Sequence, residues 1–141
     1  MEKLSKAFFD GKEILFIGYS RKYESFCKNV FQTLTNHGIR VYPLNNRPDA
    51  NFDIKVYRNF NELPKTPSFA YVLTNQANTS KLISQLKEKG IRKILFQSMK
   101  NVDQATLDLC REIGIATAVG CPMMFYGSGI HKIHAFFAGV R

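Results

Sequence analysis

Several features are missing from this sequence, and each absence narrows what the chain does. It has three cysteines, Cys27, Cys110 and Cys121, and none of them forms a C-x-x-C pair. That excludes a disulfide framework and fits reduced thiols. No run reaches the roughly eighteen apolar residues of a membrane-spanning helix. The N-terminus, MEKLSKAFFDGKEILF, lacks the apolar core and small-residue cleavage site of a secretory signal, so a cytoplasmic location is expected. There is no internal repeat, no low-complexity stretch, no P-loop, no nucleophile elbow and no acid–base pair, so no catalytic residue is expected. Acidic residues are scarce, 11 against 20 lysines and arginines, for a net charge of +9. Such a balance attracts anions, whether nucleotide, nucleic acid or acidic lipid. The basic residues are scattered and no nucleic-acid reader motif is present, which places nucleic-acid or partner binding last among the function classes.

What is present is a globular pattern. The chain has 141 residues, 45% of them apolar, enough for one domain with a real core. The pattern is organised around EILFIGYSRKYESF, from Glu13 to Phe26. Ile14-Leu15-Phe16-Ile17 is a continuous apolar run, which predicts a strand buried on both faces over 13–18. Gly18 breaks it, Ser20-Arg21-Lys22 follow, and a helix is expected over 24–37 with Phe26, Cys27, Val30, Phe31 and Leu34 on one face and Gly38 closing it. Residues 39–44 read as the second strand and 55–57 as a weak third. A helical turn at 59–63 is stopped by Pro64 and Pro67. Strands at 69–74, 93–96 and 115–119 alternate with helices over 75–89 and 102–113. Asn101 is the expected N-cap of the last helix, with Val102, Ala105, Leu109 and Ile113 facing inward. Residues 1–12 read as a short arm anchored by Phe8 and Phe9, and 123–141 as a helical tail. Strands and helices in alternation predict right-handed βαβ units in an α/β, doubly wound parallel sheet of five or six strands, order 3-2-1-4-5-6, with helices on both faces.

In such a sheet the ligand lies beyond the carboxyl ends of the strands. That places Gly18, Tyr19 and Ser20, then Asn45, Asn46 and Arg47, then Thr74 and Asn75 around one crevice, with Arg21 and Lys22 beside it. A strand, a glycine turn and a helix start can hold a phosphate, because the glycine admits close approach and the first helix amides lack internal partners. The dinucleotide fingerprint needs three glycines, and here Ser20 stands at the second. NAD binders carry an acid at the end of strand two, whereas this chain offers Asn45-Asn46-Arg47 and no carboxylate before Asp49. A guanidinium suits a phosphorylated ribose, as in coenzyme A or NADP. The same three residues could also serve only as a turn.

The ordered set Ile17-Gly18-Tyr19-Ser20, Gly38-Ile39-Arg40-Val41-Tyr42-Pro43-Leu44-Asn45, Lys55-Val56-Tyr57-Arg58-Asn59 with Leu63-Pro64, Ala70-Tyr71-Val72-Leu73-Thr74 and Gly90-Ile91-Arg92-Lys93-Ile94 resembles the CoA-binding domain family in its small stand-alone form. The same domain opens the alpha subunit of succinyl-CoA synthetase. The resemblance spans about 12–122 and implies a Rossmann-like domain that binds coenzyme A or an acyl-CoA. It places the pyrophosphate on the backbone of Gly18 and Tyr19 with Ser20, charge from Arg21 and Lys22, adenosine against Asn45 and Asn46, and Thr74 and Asn75 along the next wall. The chain departs from the family at Leu44-Asn45-Asn46, where Val-Asn-Pro is common, and at Thr74-Asn75-Gln76, which lacks the usual proline. An NADP- or NAD-binding redox domain is the alternative. Replacing Gly18 by Val is expected to block the ligand and leave the fold largely intact.

The tail holds candidates of its own. His131 and His134 with Cys121 could form a three-ligand metal set, but the spacing matches no standard zinc pattern, and a packed or surface-facing pair is the simpler reading. Cys121 reads as a buried inert thiol, with a reactive thiol as its alternative. Phe125, Tyr126, Phe136 and Phe137 read as core packing, with a homodimer face as theirs.

Overall fold

A computed structural model describes Phe8 and residues 12–47 and 52–123. Five parallel strands form one sheet in the order β2-β1-β3-β4-β5. In chain order these are β1 (Glu13–Ile17), β2 (Arg40–Leu44), β3 (Phe69–Val72), β4 (Lys93–Phe96) and β5 (Ala116–Val119), with helices α1 (Glu24–Asn36), α2 (Gln76–Glu88) and α3 (Gln104–Glu112) between them. The sheet is therefore parallel and doubly wound, as expected.

The apolar run of β1 is buried on both faces for a visible reason. Ile14 and Phe16 pack with Cys27, Val30 and Leu34 of α1. Leu15 and Ile17 face the other way, towards Ile83 and Leu86 of α2 and Leu107 and Cys110 of α3. Alternate side chains of one strand thus feed two separate cores, so no position from Ile14 to Ile17 can be polar. Phe8 lies edge-on to Phe69 with ring centroids 5.4 Å apart, at the start of β3.

Two expectations change. The weak third strand over 55–57 is a single parallel bridge between Leu44 and Tyr57 at the outer edge of β2. Tyr57 N donates to Pro43 O, and Asn45 N donates to Tyr57 O, each at 2.8 Å. The missing N–H of Pro43 falls on this same outer edge, so the ladder cannot extend. The outer position in the order 3-2-1-4-5-6 is thus held by one residue.

The last helix starts at Gln104, not Val102, and its cap is Asp103, whose side chain accepts from Thr106 N at 2.8 Å. With the start moved, the buried face is Thr106, Leu107 and Cys110, while Leu109 is exposed. The short helical turn expected over 59–63 is present as a 3-10 turn over 60–62, capped by Asn59. The tail candidates His131, His134, Phe125, Tyr126, Phe136 and Phe137, and also Phe9 and Asp49, lie outside the described residues. No helix among the described residues is long and apolar enough to cross a membrane.

Candidate functional site

From β1 the chain steps outward to β2, then back across β1 to β3. The direction of winding therefore reverses between β1 and β3, and a crevice opens beyond their carboxyl ends. Gly18 sits at this point, with φ +94°. Its N–H donates to Leu44 O at 3.1 Å, and Leu73 N donates to Ile17 O at 2.9 Å. A Cβ on Gly18 would lie 3.0 Å from both Thr74 N and Thr74 Cγ2 and 3.1 Å from Leu73 C. Glycine is required twice here, for the left-handed backbone and for the close approach of β3. The expectation that Gly18→Val leaves the fold intact is overturned by those contacts, since two of the three atoms are backbone.

The next residue turns its side chain away from the crevice. Tyr19 is fully buried, its ring edge-on to Phe16 at 5.3 Å and to Phe52 at 5.4 Å. Its hydroxyl has no hydrogen-bond partner, and burial pushes the phenol up to about 12. Only the backbone of Tyr19 belongs to the turn. Ser20 Oγ accepts from Tyr23 N at 3.1 Å, which closes the turn into α1.

The start of α1 differs from the other two helix starts. Its N-cap, Tyr23, makes no side-chain capping bond, whereas Asn75 caps α2 by accepting from Asn78 N and Asp103 caps α3. Glu24 N donates to Arg21 O at 3.3 Å, so the amides of Ser25 and Phe26 and the positive end of the dipole are what this end offers beside the crevice. Arg21 pairs with Glu24 at 3.8 Å, which partly offsets the acid in the first turn. Lys22 Nζ lies 5.3 Å above the Tyr23 ring. An open depression of about 450 Å³ adjoins, lined by Arg21, Glu24, Ser25, Lys28, Phe52 and Asp53. Lys28 pairs with Asp53, and that bond holds the Asp53 carboxyl below its ordinary range.

Asn45 reaches from the end of β2 to the turn. Its Nδ2 donates to Tyr19 O, and its Oδ1 accepts from Arg47 N at 2.8 Å. Asn46 and Arg47 are exposed just beyond it. On the far wall, Thr74 Oγ1 lies 2.8 Å from Thr79 Oγ1, and Thr74 O accepts from Asn101 Nδ2 at 2.9 Å. The Asn75 side chain is occupied as the α2 cap.

The fold thus brings Gly18 against Thr74, and Tyr19 against Asn45, as the topology predicts. Of the residues that the sequence pointed to, the side chains of Ser20, Asn45 and Asn75 are tied to backbone, while Lys22, Asn46 and Arg47 are exposed around the opening. Two residues were missed as wall builders. Asn101, read as a helix cap, is buried and ties the β4 loop to Thr74. Gln97 accepts from the hydroxyl of Tyr71. Neither had a local signal, because each partner lies 26 or 27 residues away. Cys121 is buried, and that burial pushes its thiol up, as an inert thiol requires. No group of three His, Cys, Asp or Glu side chains among the described residues could hold a metal.

The fold recurs in solved structures. A hypothetical protein from Pyrococcus horikoshii shares 21% identity over 86% of this chain and 84% of its own, with a TM-score of 0.70. A conserved hypothetical protein from Pyrococcus furiosus shares 21% over 82% and 98%, at 0.67. A Thermus thermophilus structure shares 16% over 86% and 92%, at 0.69. At these identities the likeness is one of fold. No curated protein matches the sequence. The family model described as "CoA binding domain" matches residues 12–127, most of the chain, and on that match the chain belongs to the CoA-binding domain family.

Proposed function

We propose that this protein binds coenzyme A or an acyl-CoA, with no chemistry of its own, and that the diphosphate rests on the turn Gly18–Ser20 at the start of α1. The observation that carries the reading is the place of Gly18. It stands at the winding reversal, it leaves no room for a Cβ against Thr74, and it leads into the one described helix without a side-chain cap. Backbone amides near such a turn meet an anion without a side chain in between. Lys22 and Arg47 supply exposed positive charge on either side, and among the described residues neither is held in an ion pair. Asn46 borders the adenosine and Thr74 lines the next wall. Membership of the family supports the ligand class.

Calorimetric titration with CoA, acetyl-CoA, dephospho-CoA and NADP tests the reading. CoA and acetyl-CoA bind. Dephospho-CoA binds more weakly by about 1–3 kcal/mol, the loss of one charge-assisted pairing at the 3′-phosphate. Absence of heat with every CoA species rejects the proposal, and NADP displacing CoA at lower concentration transfers the site to a dinucleotide.

A further inference from the structure

Asn45 has a role that its place in the sequence does not announce. Its main-chain N–H donates to Tyr57 O at 2.8 Å, which fixes the backbone at the outer edge of the sheet. Its side chain then crosses the end of β1. The amide can sit in one orientation only. Arg47 N is a donor and must face Oδ1, and Tyr19 O is an acceptor and must face Nδ2. Across a trans peptide the carbonyl and the following N–H point in opposite directions. Tying Tyr19 C=O back to β2 therefore holds the Tyr19–Ser20 peptide in place, with the Ser20 N–H turned towards the Cys27 thiol under α1, and so fixes the path of the chain from Gly18 into the helix.

We infer that Asn45 is a positioning residue for the diphosphate turn and not a wall of the adenosine pocket. It acts through the Tyr19 carbonyl, so its contribution belongs to whichever part of the ligand meets the turn. This rests on the CoA reading, and the two are separable by experiment.

The test is Asn45→Ala, titrated with CoA, ADP, adenosine and inorganic pyrophosphate, with the melting temperature of the ligand-free variant recorded alongside. Asn45 is half-buried, so water can replace both lost bonds and the variant folds. CoA, ADP and pyrophosphate each lose about tenfold in affinity, the equivalent of about 1.4 kcal/mol, while adenosine changes by less than about twofold. A purely structural role would weaken adenosine in the same proportion, and a direct adenosine contact would spare pyrophosphate. Either pattern overturns the inference, as does a variant that binds all four ligands like the parent. Should the parent chain fail to bind CoA, the functional reading falls on the parent alone. Asn45 is then judged on pyrophosphate, and equal or absent affinity in parent and variant overturns its positioning role.

Discussion

Gly18→Ala and Gly90→Ala form a matched pair that isolates the cost of closing the crevice floor. The two glycines have nearly the same backbone, φ +94° and +95°. A methyl group on Gly90 meets nothing within 4 Å, whereas on Gly18 it meets Thr74 N and Cγ2 at 3.0 Å. Both substitutions incur the left-handed penalty of an L-residue, about 1–2 kcal/mol, less the roughly 0.4–1 kcal/mol gained by stiffening the unfolded chain. Gly18→Ala alone adds an overpacking cost of about 1–3 kcal/mol, because the backbone of a central strand end cannot yield cheaply. For a chain of this length, 1 kcal/mol moves the melting temperature by about 3 °C. Gly18→Ala should thus melt about 3–9 °C below Gly90→Ala. Differential scanning calorimetry of the two variants and the parent measures it. Equal melting temperatures would mean that Gly18 is not wedged against Thr74, and the close approach that defines the site would have to be abandoned.

Three further outcomes follow from the same geometry. Tyr19→Phe should be neutral or stabilising by about 1 kcal/mol, because the buried hydroxyl it removes has no partner. The parent keeps the Tyr19 proton to about 12 while the unfolded phenol loses it near 10, so the stability in question is complete below pH 10 and lost as pH rises towards 12. Urea titrations at pH 8 and pH 11 should show about half of that loss in the parent, about 1.4 kcal/mol one unit above the unfolded phenol value, and a smaller one in the variant; identical losses would place the phenol in contact with water. Asn101→Ala should cost about 1–3 kcal/mol in denaturant unfolding, since it leaves Ser98 N without its partner and Thr74 O with only the Thr79 hydroxyl. Asp103→Ala should lower the melting temperature by uncapping α3, and Asp103→Asn should restore most of it. The Thr106 bonds hold the Asp103 carboxyl below its ordinary range, so its contribution is present above the unfolded carboxylate range and lost as pH falls through the folded value. A cap at Asn101 instead of Asp103 would reverse the ranking of these variants on α3.

Much of the fold was legible because its signals are local. A run such as Ile14-Leu15-Phe16-Ile17 has to be covered on both sides, and the alternation of strands and helices then admits few topologies. Asn75 could be placed at the start of α2, and the start of α1 could be located from Gly18 and the helical spacing of Cys27, Val30 and Leu34. The last helix slipped by two residues because Asn101 and Asp103 are both good caps and Val102 is apolar. Only packing showed that Val102 is buried in the loop before the helix.

Local sequence set the order of elements, the two-sided burial of the sheet, the glycine turn after β1 and the arginine that follows β2. Each depends on residues within one element and its immediate flanks. The tertiary structure alone decided the duties of the polar side chains at the crevice. Asn45 and Asn101 act on carbonyls 26 and 27 residues away, which become neighbours only when β2 lies beside β1 and β4 beside β3. It also decided that Tyr19 turns into the core while its backbone stays in the turn, and that Gly18 has no room for a methyl group. Such facts follow from strand order and register, and no stretch of the chain carries them on its own.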